Sequence, residues 1–159
     1  MKFLNYLVIT SIVLLIGVSE SSAQQRRFGL GVVIGEPTGI SMKLWRSSTR
    51  AITAGLGWSI SQNQNDVQKS RFNLHVDLVR HSFNAISSPE RIPVYYGLGA
   101  GLAGGSDSEG SLALRTVLGI AWQPAQTPID VFLEVAPSLE VVPTTTFYLN
   151  AGLGMRYFF

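Results

Sequence analysis

Two histidines lie beside side chains that could act with them in catalysis. His81 is followed directly by Ser82, and a histidine next to a serine pairs a general base with a nucleophile. His75 and Asp77 form a second pair, two residues apart, so on a β-strand both side chains point to one face. His81 and Ser82 would point to opposite faces of such a strand, which separates base from nucleophile. We therefore predict no catalytic residues and interpret His75 and Asp77 as a hydrogen-bonded pair.

The composition excludes several other kinds of site. The chain has two histidines and no cysteine, which predicts neither a transition-metal site nor a bound cofactor and excludes disulfides and a thiol nucleophile. Its net charge is only +2, with scattered basic residues, so we expect no nucleic-acid partner. Charged residues make up 14% of the chain, whereas soluble domains carry about 25%. The folded chain therefore has too few charged residues to cover a surface that contacts only water.

The first 23 residues are typical of a secretory signal peptide. Lys2 gives a positive start, Leu4–Val18 is mostly apolar, and Ser21 and Ala23 are small residues at the positions that a signal peptidase reads. The apolar run is shorter than the roughly 20 residues that a spanning helix needs. We predict a signal peptide at residues 1–23 and one domain at residues 24–159.

The remaining sequence alternates apolar and small or polar residues with a period of two. Such alternation is typical of β-strands with two unlike faces. Most of the eight segments are longer than the usual five or six residues and suit a tilted strand that crosses a membrane. The segments are Arg27–Gly35, Ile40–Trp45, Ala51–Ser61, Arg71–His81, Pro93–Ala103, Ser111–Trp122, Ile129–Glu140 and Thr146–Phe159.

The non-aliphatic face of these strands is rich in glycine and sparse in charge, so it suits a narrow lumen better than a soluble exterior. We therefore predict an all-β protein, an eight-stranded antiparallel up-and-down transmembrane β-barrel, because only a closed barrel satisfies every strand edge in lipid. Buried charges must be paired, and the basic and acidic residues of this face are nearly balanced. The predicted lumen charge network comprises Lys43, His75, Asp77, Arg115, Asp130, Glu134 and Arg156.

Aromatic residues in the outward phase predict two girdles where lipid meets water. Trp45 is an exception, since it falls in the inward phase unless a β-bulge shifts it. Pro137 interrupts the seventh segment and is expected to mark a bulge or the upper end of the strand. The lower girdle comprises Phe28, Tyr96, Trp122, Tyr157 and Phe159, and the upper girdle Trp58, Phe72 and Phe147.

The segment pattern and the closing sequence "NAGLGMRYFF" resemble the small eight-stranded bacterial outer-membrane barrels, the OmpA/OmpX-like group. The resemblance implies an outer-membrane protein, assembled with periplasmic chaperones and the barrel insertion machinery, and surrounded by outer-membrane lipid and lipopolysaccharide. It also implies a C-terminal assembly signal, matched here by Leu153, Met155, Tyr157 and Phe159. We expect a monomer with both termini on the periplasmic side.

The function that this resemblance favours is a structural or interaction role, with a lumen plugged by side chains. A narrow pore for small solutes stays open as an alternative, because lumen glycines leave space. A less favoured alternative is a lipid A-modifying enzyme, since "RHSFNA" at Arg80–Ala85 resembles the His-x-Ser-Asn-Ala run of lipid A deacylases.

Overall fold

The computed structural model describes residues 26–62, 68–105 and 108–159, and they form eight β-strands. The predicted signal peptide lies outside these residues. No helix within the described ranges is long and apolar enough to span a membrane. The strands are β1 (Phe28–Glu36), β2 (Thr38–Trp45), β3 (Arg50–Gln62), β4 (Gln68–Ser82), β5 (Val94–Gly105), β6 (Ser108–Trp122), β7 (Ile129–Val142) and β8 (Thr146–Phe158).

The strands close into a barrel in chain order. Each strand pairs antiparallel with the next, and β8 returns to pair with β1 from Gly29 opposite Phe158 to Glu36 opposite Ala151. At the lower end of this seam the Phe159 N–H donates to the Phe28 carbonyl at 2.9 Å. The predicted all-β, eight-stranded antiparallel up-and-down barrel is confirmed.

The two faces of the wall differ as the alternation predicts. Along β4 the outward Val76 and Leu78 are 49% and 66% exposed, whereas the inward Asp77 and Val79 are 1% and 3% exposed. Large apolar side chains therefore cover the outside, and polar side chains are buried inside together with an apolar core. All eight aromatic residues of the predicted girdles are exposed on the outer face: Phe28, Trp58, Phe72, Tyr96, Trp122, Phe147, Tyr157 and Phe159.

We call the end of the barrel that carries Phe28 and Phe159 the lower rim and the opposite end the upper rim. The lower rim also carries residues 46–49 between β2 and β3, residues 83–93 between β4 and β5, and residues 123–128 between β6 and β7. The end of the second connection continues β5 beside β6, because Ala121 and Gln123 donate their N–H groups to the carbonyls of Pro93 and Arg91.

The β1–β2 hairpin turns tightly at the upper rim. Gly35 has a φ of +149°, which a residue with a side chain rarely adopts. The Thr38 hydroxyl donates to the Gly35 carbonyl at 2.8 Å. The peptide bonds Glu36–Pro37 and Val142–Pro143, both at this rim, are cis.

Two local expectations need correction. Pro137 marks neither a bulge nor a strand end, because it lies opposite Leu149 in an unshifted ladder and β7 continues to Val142. The register shift on this side of the barrel lies between Leu112 and Ala113. Trp45 needs no bulge, since β2 keeps an unshifted register with both neighbours and the indole packs against the buried core of the barrel.

Candidate functional site in the barrel lumen

A buried ion cluster joins three strands in the lower half of the lumen. The Lys43 ammonium on β2 donates to Asp130 Oδ2 on β7 at 2.8 Å. Arg156 on β8 lies 3.5 Å from Asp130 Oδ1 and donates from Nε to the Ser41 hydroxyl at 2.9 Å. Lys43, Asp130 and Arg156 are 1%, 0% and 2% exposed. Two cations that water does not reach thus share one carboxylate.

A second cluster crosses the lumen around Arg115 on β6. Its Nη2 donates to Glu134 Oε1 on β7 at 3.0 Å, and its Nε lies 2.9 Å from Asp77 Oδ1 on β4, angled outside hydrogen-bond geometry. The Tyr95 hydroxyl on β5 donates to the other Glu134 oxygen at 2.9 Å. His75 Nε2 lies 3.8 Å from Asp77 Oδ2, so the two side chains share a face as predicted, but the predicted hydrogen bond between them is wrong because this distance is too long for one. The Arg115 guanidinium therefore contacts both carboxylates, Asp77 and Glu134.

Three of these polar contacts pass over a glycine on the strand between them. Asp77 and Arg115 are both register partners of Gly99. Similarly, Tyr95 and Glu134 are both partners of Gly119. A Cβ at Gly99 would contact Asp77 Oδ1 and the Val76 carbonyl, so only a glycine leaves the space that the ion pair occupies. Ser41 and Arg156 meet in the same way over Gly31 on β1.

Aromatic rings lie in the lumen below the ion clusters. The Lys43 ammonium lies 4.6 Å from the Trp45 ring centroid, and Trp45 and His81 have centroids 4.4 Å apart. His81 also stacks on Tyr95 at 5.0 Å. The connection after β4 adds Phe83, whose ring lies 6.2 Å from His81. These rings form an apolar floor toward the lower rim.

A third charged contact, which the sequence did not lead us to predict, lies in the upper half of the lumen. The Arg71 guanidinium on β4 donates to Glu140 Oε2 on β7 at 2.7 Å and also to the Ser111 hydroxyl on β6. Arg71 continues the inward phase of His75 and Asp77, and Glu140 continues that of Glu134 through Pro137. The strand phase was therefore a signal for this pair, but we expected β7 to be interrupted at Pro137.

The structure brings all seven residues of the predicted lumen charge network to the inner wall. Six of them join through the two ion clusters, with His75 beside the second: Lys43, Asp130 and Arg156 in the first, and Asp77, Arg115 and Glu134 in the second. The predicted assembly residues lie on the outer face, each about half exposed: Leu153, Met155, Tyr157 and Phe159. Among the described residues no group of three or more His, Asp or Glu side chains could hold a metal ion.

The arrangement at His81 does not favour catalysis. Its ring is 2% exposed within the lumen, whereas Ser82 is exposed and in the opposite phase of β4. The base and the nucleophile therefore face opposite sides of the wall. The interaction that the lumen side chains make is ion pairing between strands.

No model of a known protein family matches the sequence, and no curated protein sequence matches it. Among solved structures, the fold resembles Neisserial surface protein A (NspA), with a TM-score of 0.53, 13% identity and coverage of 83% of this chain and 93% of that chain. A second match is Ail, the attachment invasion locus protein of Yersinia pestis, with a TM-score of 0.45, 12% identity and coverage of 84% and 94%. The predicted resemblance to small eight-stranded outer-membrane barrels is confirmed at the level of the fold.

Proposed function

We propose that this protein is an integral outer-membrane β-barrel with a structural or interaction role and a lumen plugged by its own side chains. The observation that carries the proposal is the inversion of the usual pattern: apolar side chains face outward on all eight strands, while charged side chains such as Lys43, Arg115 and Asp130 are buried inside. Soluble monomers rarely expose contiguous apolar patches beyond a few hundred Å². An outer face covered by apolar side chains is stable when it is surrounded by lipid.

The fold likeness to a Neisserial surface protein agrees with a bacterial outer-membrane setting. Export through a signal peptide at residues 1–23, a single barrel domain at residues 24–159 and a monomeric state belong to the same proposal. Outer-membrane fractionation combined with unheated gel electrophoresis tests it. We expect the protein in the outer-membrane fraction, where an intact barrel migrates differently before and after heating. Recovery as a soluble periplasmic protein would contradict the proposal.

A plugged lumen is supported by the burial of the side chains that cross it. Lys43, Tyr95, Val117 and Asp130 are each at most 1% exposed, although all four face inward. The wall of an open pore would leave such groups in contact with water. The floor formed by Trp45, His81, Tyr95 and Phe83 adds an apolar barrier toward the lower rim.

Conductance in planar bilayers tests the plugged lumen. We expect the purified protein to insert without steady single-channel steps, because the ion pairs and the aromatic floor leave no continuous water path. Insertion must be shown in parallel by resistance of the barrel to added protease. Steady single-channel steps from inserted protein would instead favour the narrow-pore alternative.

The lipid A deacylase alternative has a separate test. Mass spectrometry of lipid A from cells with and without the protein should show identical acylation, because His81 and Ser82 face opposite sides of β4. Loss of an acyl chain only in cells that carry the protein would establish an enzyme.

The assembly signal predicts different roles for two neighbouring phenylalanines. Phe159 is 55% exposed and packs edge-on against Tyr157 at 5.0 Å between centroids, whereas Phe158 is 7% exposed beside Gly29. The insertion machinery and periplasmic chaperones can therefore read Phe159 on the outer surface. We expect removal of Phe159 to reduce the amount of barrel in the outer membrane far more than Phe158→Leu does. Equal outer-membrane amounts of the two variants would contradict the assignment.

A further inference from the structure

Three arginines lie at the lower rim, one directly after the end of β2, one at the start of β3 and one near the end of β4. Each lies at the outward position next to the apolar residues of its strand. Arg46 lies two positions after Leu44 of β2, and Arg80 lies two positions after Leu78 of β4. Arg50 precedes Ile52 at the start of β3 in the same phase. All three arginines are exposed. We call Arg46, Arg50 and Arg80 the arginine row.

The ladder holds the members of this row side by side. Arg50 and Arg80 are direct register partners across β3 and β4, and the Arg46 N–H donates to the Arg50 carbonyl at 2.9 Å. Like charges at opposite positions of an antiparallel pair destabilise it. Among the described residues, no member of the row makes an ion pair with a carboxylate. An external anion would offset this repulsion.

The position of the row along the barrel identifies where such an anion lies. Arg80 is the register partner of Tyr96, an aromatic residue of the lower girdle, and lies directly beyond Leu78, which is 66% exposed. Residues just beyond an apolar belt and level with an aromatic girdle lie among lipid headgroups. On β1, β5, β6 and β8 the outward residues at this rim are aromatic, whereas β2, β3 and β4 carry the arginine row there and β7 carries Ile129.

A cavity of about 420 Å³ opens beside the row. Its polar lining consists of Thr49, Arg80, His81, Ser82 and Asn84, with Phe83 and Tyr96 as aromatic walls. No carboxylate lines it. Guanidinium, hydroxyl and amide donors beside aromatic rings suit a phosphate group attached to a polar glycerol and an apolar tail.

We propose that the arginine row and this cavity bind the phosphate of an anionic phospholipid headgroup in the leaflet at the lower rim. The inference rests on the membrane setting proposed above and adds a specific lipid contact to it. Arg50 and Arg80 hold the phosphodiester between their guanidinium groups, and the cavity receives the glycerol headgroup. The bound lipid anchors the barrel at this rim.

Native mass spectrometry of the barrel in bilayer nanodiscs tests this site. The nanodiscs contain phosphatidylcholine with a minority of phosphatidylglycerol, and the measurement is the phosphatidylglycerol retained per barrel. Arg50→Gln/Arg80→Gln is compared with Arg26→Gln/Arg27→Gln, which removes the same charge from exposed arginines outside the row and the cavity. We expect the first variant alone to bind phosphatidylglycerol about 30-fold more weakly, because each basic residue near an anionic surface contributes about a factor of five.

Each of the remaining outcomes would contradict the proposed lipid site for a different reason. Equal losses in both variants would show a general charge effect and overturn it. Displacement of the lipid by added inorganic phosphate would assign the row to free phosphate. In parallel nanodiscs that also contain lipid A, preferential retention of lipid A would assign the row to the phosphorylated glycolipid. Heat-modifiable mobility of the same samples reports insertion independently. An inserted wild-type barrel without retained phosphatidylglycerol overturns only the lipid site, whereas a chain that does not insert overturns the membrane function as well.

Discussion

Asp130→Asn is expected to destabilise the barrel by about 3–5 kcal/mol, the usual effect of removing one partner from a buried ion pair. Asp130 is 0% exposed and is the carboxylate that Lys43 and Arg156 share. An asparagine keeps the volume but leaves two buried cations without a countercharge. Urea titration of the protein folded in lipid vesicles, followed by tryptophan fluorescence, measures the free energy of unfolding.

Glu36→Gln is the matched control for this experiment. It also removes one carboxylate charge, but Glu36 is exposed at the upper rim. Exposed substitutions away from specific contacts usually change stability by no more than about 0.5 kcal/mol. Equal free energies of unfolding for Asp130→Asn and Glu36→Gln would show that the lower ion cluster does not stabilise the fold.

Gly99→Ala is expected to cost about 2–3 kcal/mol, a typical effect of overpacking a filled interior. The added Cβ would contact the Val76 carbonyl and Asp77 Oδ1, and it lies 2.8 Å from the Asp77 Cα. The Val76 carbonyl and the Asp77 Cα belong to the backbone of β4, so they cannot move aside without displacing that strand. The substitution therefore strains the wall and pushes Asp77 away from Arg115.

The same strand offers a control on the same face. A Cβ at Gly101 would lie 3.5 Å from the Leu74 carbonyl and 3.8 Å from the His75 Cβ, which are ordinary contacts. We expect Gly101→Ala to fold with nearly unchanged stability in the same urea titration. If both substitutions destabilise equally, glycine is needed on this strand for its backbone properties rather than for the space it leaves.

The strands and their faces were predictable because a period of two assigns every residue to one side of the wall. Trp45 shows how far this holds: its inward phase was correct, and only the expectation that a girdle residue should face lipid made it an exception. Lys43 and Asp130 were likewise correctly placed inside.

Contacts between strands were not predictable, because they depend on register. Asp130 lies 87 positions from Lys43 in the sequence, and the alternation does not say which carboxylate each cation reaches. Arg71 and Glu140 were missed for a second reason. Pro137 lacks an N–H group and led us to expect an interruption, whereas the ladder with β8 passes through it unshifted.

In the proposed membrane setting, the shortness of the β1–β2 hairpin limits how deeply the barrel can lie in hydrocarbon. Pairing with this hairpin ends at Glu36 opposite Ala151 and at Thr38 opposite Trp58, although β8 and β3 extend further upward. Above that level the facing edges of β3 and β8 have no ladder partner among the described residues, and hydrocarbon does not tolerate such edges.

Nine residues of β1 at about 3.3 Å each, tilted by roughly 40°, rise about 23 Å. The unpaired edges of β3 and β8 above the hairpin must therefore lie in headgroups or water. The level of the hairpin sets the hydrophobic thickness that this barrel matches. Thin bilayers should accept it most readily, and thicker ones would have to compress around the hairpin.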